Sequence, residues 1–123
     1  MNRFKGKLNR NHGEKLLGFH FNGHQYEIRV TEHSLSRFKD HNLDVNAACG
    51  SIVALGKERL NYFAGNGADV AIIDKDNHIS VIVTFENEDN YTQIRIATII
   101  PRSNIFVKAG TKVFCLQNYK GGF

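Results

Sequence analysis

The dipeptide Asn22-Gly23 constrains this 123-residue chain more than any other feature. It stands between Gly18-Phe19-His20-Phe21 and His24-Gln25-Tyr26-Glu27-Ile28-Arg29-Val30, where apolar and polar residues alternate. A type I′ turn needs positive φ at both central residues, and Asn-Gly supplies that at little steric cost, so a two-residue β-hairpin is predicted. That turn pairs Phe21 with His24 and His20 with Gln25. Adjacent cross-strand pairs point to opposite faces, so the imidazoles of the His-x-x-x-His spacing diverge and no metal site is expected there. The acidic turn Asp74-Lys75-Asp76-Asn77-His78 is too short for a calcium loop and lacks its glycine and terminal glutamate.

Downstream the period changes. Thr31 offers an N-cap for a short helix over 32–39. Asp44 offers another for a helix over 45–57, where Val45, Ala48, Cys49, Ile52 and Val53 recur at helical spacing and Gly56 helps end it. After residue 60 the pattern becomes that of strands: 69–73, a turn at 74–77, then 79–85, where Ile79, Val81, Val83 and Phe85 alternate with smaller or polar residues. A polar loop over 86–90 leads to Tyr91–Ile100, which Pro101 closes. Runs at 105–107 and 112–116, with Ala109-Gly110 between them, complete the sheet. The expected fold is α+β: an N-terminal hairpin and two short helices packed on a mainly antiparallel, meander-type sheet. Residues 1–15 read as a basic flexible arm, 16–117 as the single domain and 118–123 as a loose tail.

The net charge of +4 hides an uneven distribution. Five basic residues against Glu14 fall in 1–15, and five more with no acid fall in 90–123. The middle is acidic. Basic ends that meet in space would make a face attractive to phosphate polyanions. No apolar run reaches the roughly 18 residues of a membrane span, and the N-terminus lacks the apolar stretch of a secretory signal. Cys49 and Cys115 have no metal-ligand spacing and are expected as buried small apolar residues, with a single bridge as the alternative.

Candidate chemistry begins at Thr31-Glu32-His33-Ser34-Leu35-Ser36-Arg37. His33 and Arg37, four apart on a helix that starts where a strand ends, share a face along one rim of the sheet. A histidine moves protons near neutral pH and a guanidinium binds phosphate bidentately, a pairing suited to metal-free phosphodiester cleavage through a ribose 2′-OH. The bland alternative is a capping or edge-packing His33 beside a solvated Arg37. On the strand 91–100, Arg95 and Thr98 stand out among apolar neighbours. Alternation sends them to opposite faces unless a bulge intervenes. Arg95, Arg102 and Lys39 are candidate substrate ligands.

A strand ending in a short helix with His-x-x-x-Arg, a second helix, and a meander with a late-strand threonine resembles the barnase/EndoU/colicin/RelE superfamily. The resemblance covers 25–117 as an order of elements, and its residue-level part is His33, Arg37 and Thr98. It implies a small, metal-independent and cofactor-free ribonuclease toxin acting on RNA, with tRNA the expected substrate class. Such proteins are held by an immunity protein or antitoxin and act in the cytoplasm, in some cases of a target cell after delivery within a larger exported protein. His33 would then be general acid or base, Arg37 a phosphate ligand and Thr98 an auxiliary donor. The second proton-transfer group stays open between His41 and Tyr91. Two alternatives stand beside the toxin reading: a non-catalytic binding or inhibitor module such as a phage accessory protein, and an RNA-binding protein without cleavage.

Overall fold

The computed structural model describes residues 13–66 and 69–116. Strands β1 (Glu14–Phe21) and β2 (His24–Val30) form the hairpin, turning through Asn22 at φ 47° and Gly23 at φ 86°. Phe21 pairs with His24 and His20 with Gln25, so the two imidazoles lie on opposite faces. β1 begins within the stretch expected to be an arm: Glu14 pairs with Val30 and Lys15 with Arg29. The rest of that arm, 1–12, and the expected tail 118–123 lie outside the described residues.

Helix α1 (Glu32–Asp40) starts as its sequence predicts, Thr31 Oγ1 accepting from the Ser34 N–H at 3.1 Å. It ends on Asn42 at φ 56°. There the Leu43 N–H reaches the Phe38 carbonyl at 2.8 Å and the Asn42 N–H the Lys39 carbonyl at 3.1 Å. This six-to-one closure satisfies the last orphan carbonyls and drives Leu43 back toward Phe38. Helix α2 (Val45–Val53) follows at once, Asp44 Oδ1 accepting from Ala47 N–H at 2.9 Å.

The single helix expected over 45–57 is two. Ala54 and buried Leu55 interrupt it, and Gly56, at φ 85°, opens α3 (Gly56–Asn66). A left-handed φ there suits glycine and redirects the axis. Leu60, Phe63 and Ala64, spaced as on one helix face, are all buried. Helix therefore continues past residue 60, where strand was expected.

β3 (Asp69–Asp74), β4 (Ile79–Glu88), β5 (Tyr91–Ile100) and β6 (Lys112–Leu116) complete a six-stranded sheet in the order β1-β2-β5-β4-β3-β6. The expected loop 86–90 shrinks to the turn Asp89-Asn90, and 105–107 is not a strand. β3, β4 and β5 do form an antiparallel meander. The sheet as a whole is mixed, which corrects the mainly antiparallel, meander-type expectation: β2 pairs with β5 in parallel, and β3 with β6. The reason is connectivity. Three helices between β2 and β3 form a crossover long enough to return the chain in the same direction for the β2–β5 pair, and the segment after β5 carries the chain past β4 to the far side of β3, where β6 pairs in parallel.

All three helices cover one face. Phe38, Ala48, Ile52, Leu55, Leu60 and Phe63 close over Tyr26, Ile28, Val70, Ile72, Val81, Val83, Phe85, Ile94, Ile96 and Ile99. Cys49 is buried, whereas Cys115 is exposed and both are free thiols, which corrects the expectation of two buried cysteines. Among the described residues no helix is long and apolar enough to cross a membrane.

One polar link pins this layer. Asp74, 7% exposed at the end of β3, accepts from Ser51 Oγ on α2 at 2.8 Å and from Asn77 Nδ2 at 2.8 Å. Burial alone would raise its carboxyl pKa, but the hydrogen bonds from the Asn77 side chain, Ser51 and the Asn77 and Asp76 backbone hold it below the ordinary value. Ser51→Ala is expected to cost about 1–3 kcal/mol, because a buried ionised acceptor loses a donor. Because Asp74 is depressed on folding, its contribution is full above its ordinary pKa of 3.8 and fades as pH falls through the folded value. Urea melts from pH 7 down to pH 2 should show the cost of Ser51→Ala shrinking at the acid end.

Candidate functional site

The face of the sheet away from the helices carries a cluster of polar strand residues. On β2 these are Gln25, Glu27 and Arg29, the alternates of core residues Tyr26, Ile28 and Val30. The parallel register with β5 sets Gln25 beside Tyr91, Glu27 beside Gln93 and Arg29 beside Arg95. Across the antiparallel register with β4, Arg95 faces Thr84, Gln93 faces Glu86 and Tyr91 faces Glu88. Gln93 is 1% exposed, so this polar patch is not simply a solvated surface.

Between Ile82 and Val83 the β4–β5 register slips: Ile82 pairs with Thr98 but Val83 with Ile96, leaving Ala97 as the extra residue of a β-bulge. The bulge reverses the phase of the strand's end. Ile94, Ile96 and Ile99 all reach the helix-side core, while Arg95 and Thr98 both fall on the other face. The condition set by the sequence for these two to share a side is therefore met.

Glu27 is the hub of the patch. Its Oε1 accepts from Tyr91 Oη at 2.7 Å and from Arg29 Nε at 3.1 Å, and Lys15 Nζ lies 3.6 Å from Oε2. Burial would raise the Glu27 pKa, but Tyr91, Arg29 and Lys15 outweigh it and keep the carboxylate ionised to lower pH than usual. Burial, and then the bond to Glu27, push the Tyr91 phenol up, so it stays protonated. Arg29 also donates from Nη1 to the Gly13 carbonyl at 2.6 Å. That contact needs glycine: at φ 71°, a Cβ on Gly13 would stand 2.3 Å from the Val30 carbonyl oxygen.

The residues expected to form one site are divided by this architecture. α1 buries Phe38 in the helix-side core, so His33 and Arg37 are exposed on its outer side, with the core layer and the sheet between them and Thr98. His41 caps α1 through its backbone N–H and is exposed. Lys39 lines a cavity of about 420 Å³ with Leu16, Leu35, Leu43 and Val45, apart from the polar face. Arg102 is exposed just beyond β5, its carbonyl held by Ser80 Oγ at 2.8 Å. Only Tyr91, Arg95 and Thr98 of that set share the polar face.

Glu27 and Arg29 went unselected in the sequence, although their alternation with Tyr26, Ile28 and Val30 marks them as facing away from the core. A second polar chain lies on the helix side. Thr92 Oγ1 donates to Asn87 Oδ1 at 2.6 Å, so His24 Nε2, 2.7 Å from the same hydroxyl, is the donor in that pair. Burial lowers the His24 pKa, favouring the neutral ring. Among the described residues no three His, Cys, Asp or Glu side chains converge as a metal set.

The hub gives a pH signature. Glu27 is depressed on folding, so its stabilisation is full above its ordinary value of 4.5 and is lost as pH falls through the lower folded value. Glu27→Gln should therefore flatten the acid limb of a stability–pH curve measured by thermal melts between pH 7 and pH 3. An unchanged limb would mean that the Tyr91, Arg29 and Lys15 contacts do not hold in solution.

No protein-family model, no curated protein and no solved structure matches the chain, and what the site does is read from its geometry.

Proposed function

We propose that the chain is a metal-independent endoribonuclease domain whose working surface is the polar face of β2 and β5. The observation that carries this reading is the placement of Arg29 directly beside Arg95 on parallel strands. Glu27 already offsets the charge of Arg29, and two guanidiniums in register still gather positive charge and N–H donors at one place on this face. A bridging phosphate is the natural anion for two guanidiniums, which bind it through paired N–H donors. Thr98, brought to the same face by the bulge, adds a hydroxyl.

Glu27 stands next to this pair as an ionised carboxylate, the group needed to accept the proton of a ribose 2′-OH. The freed 2′-oxygen would attack phosphorus and form a 2′,3′-cyclic phosphate, while the 5′-oxygen leaves and takes up a proton. Tyr91, which donates to Glu27 at 2.7 Å in the free protein, would turn to the departing oxygen and supply that proton, a phenol being a stronger acid than the departing alcohol. The arginines would offset charge building on the phosphorane. In this reading Glu27 and Tyr91 take the proton-transfer roles, and His33 and Arg37 become RNA-contacting groups or solvated surface. A tRNA substrate, a cognate immunity protein or antitoxin, and action in the cytoplasm belong to the same proposal through the toxin resemblance.

One observation favours a binding module without cleavage: both Glu27 oxygens are already engaged, by Tyr91 and Arg29 on one side and Lys15 on the other. A single assay separates the two. Total RNA incubated with the purified chain in EDTA should give discrete fragments ending in cyclic phosphate. Glu27→Gln and Arg95→Met should each lower the rate about 10²–10⁴-fold, the usual worth of a proton-transfer or charge-stabilising group. His33→Ala and Arg37→Ala should retain most activity. The reverse pattern would return the site to α1. RNA retention without product, equal in wild type and Glu27→Gln, would favour the binding module, and cleavage lost in EDTA but restored by a divalent ion would remove the metal-free mechanism.

A further inference from the structure

The segment joining β5 to β6 has no regular structure, yet its burial alternates residue by residue. Ser103, Ile105 and Val107 are half-buried, whereas Asn104, Phe106 and Lys108 are exposed. This is the signature of an extended chain lying on the protein with one side outward. Its start is fixed by Ser80 Oγ, which holds the Arg102 carbonyl, and by Arg102 Nε, which donates to the Asn104 carbonyl at 3.3 Å. Its end is a turn in which the Thr111 N–H reaches the Lys108 carbonyl at 3.2 Å and Gly110 takes φ 93°.

The outward row reads Arg102, Asn104, Phe106, Lys108. Phe106 is 100% exposed, the most exposed of the large apolar side chains described, and a basic residue stands on either side of it. Hydration of a whole phenyl ring is unfavourable by about 1.5–3 kcal/mol relative to its burial, so such a ring is primed to be covered. The company it keeps identifies the cover. From Tyr91 to Leu116 the chain contains no acidic residue, so a cationic or basic partner gains nothing here and a polyanion does. A planar base on the ring, with phosphates reaching the flanking cations, satisfies both features at once. Side chains two apart on an extended strand repeat every roughly 6.5–7 Å, which spaces cation, amide, aromatic and cation along a line.

We propose that residues 102–108 form a single-stranded RNA track in which Phe106 stacks one base, Arg102 and Lys108 take backbone phosphates and Asn104 reaches a base edge. It rests on the reading of the chain as an RNA-directed protein and adds to it the kind of RNA engaged: an unpaired stretch, since only an unstacked base can lie on the ring.

The test uses a short single-stranded RNA with 2′-O-methyl sugars, which cannot be cleaved through the 2′-oxygen, and follows binding by fluorescence anisotropy with the full chain. Phe106→Ala should weaken binding about 5–150-fold, the loss expected for one stacked base, and Phe106→Trp should restore it. Because Phe106 is fully exposed, neither variant should change the melting temperature. Arg102→Ala and Lys108→Ala should each reduce the steepness of the salt dependence by about 0.7 in log–log slope. Wild-type binding left unchanged by Phe106→Ala overturns the track, and so does the absence of wild-type binding to this probe. If cleavage of folded RNA persists in either case, the ribonuclease reading stands without the track. If the track binds but no RNA is cleaved, the ribonuclease reading falls and the track remains.

Discussion

Everything distinctive about this molecule follows from the parallel pairing of β2 with β5. A hairpin running directly into a meander would have paired β2 with β3 in antiparallel fashion. The three-helix crossover instead lets β5 return alongside β2 in the same direction, placing Ile28 beside Ile94 in the core. The same register then fixes the other face: Glu27 by Gln93 and Arg29 by Arg95. Hydrophobic burial on one side thus determines which charged groups must live together on the other. That unfavourable proximity is relieved by a carboxylate hub, with Glu27 distributed among Arg29, Lys15 and Tyr91.

Local signals in the sequence were faithful where the physics is local. Asn22-Gly23 set the hairpin and its register, Thr31 and Asp44 capped the helices they precede, and the strand Tyr91–Ile100 has the bounds its alternation predicts. Failures came where distant residues decide. In the sequence Gly65-Asn66-Gly67 looks like a turn, which masked the Leu60, Phe63, Ala64 stripe that packs α3. The 105–107 run has strand-like composition but finds no ladder partner. Parallel pairing carries no turn signature, since its partners are separated by helices between β2 and β5 and by two strands and an irregular segment between β3 and β6, so the mixed sheet could not be read from neighbours in the chain.

The candidate site shows the same division. Tyr91, Arg95 and Thr98 were recognisable as odd residues in an apolar strand, and the need for a bulge between the last two could be stated from alternation alone. His33 and Arg37 share a helical face as their spacing requires, but spacing does not say which way that face points. Phe38 and Leu35 decide it, because the helix turns its apolar side to the core and so its basic side to water. Glu27 and Arg29 were as visible as Arg95. Their significance depends on a strand more than sixty residues away, and no pattern within β2 reveals it.

The extra residue at Ala97 has a consequence for how such a sheet can change. Upstream of it β5 follows one frame and downstream another, yet deleting Ala97 would only straighten the ladder: Ile96, Thr98 and Ile99 would then alternate without a break, leaving Thr98 on the polar face and Ile99 in the core. Insertions and deletions in a strand are usually ruinous because every side chain beyond them swaps sides. Here the residue lost would be the unpaired one, and the side chains between it and Pro101 keep their sides. The strand therefore behaves as two short rulers laid end to end. One residue can be taken out at their joint while the core and the polar face both keep their members, which makes this spot tolerant of a change in length that the rest of the strand would not survive.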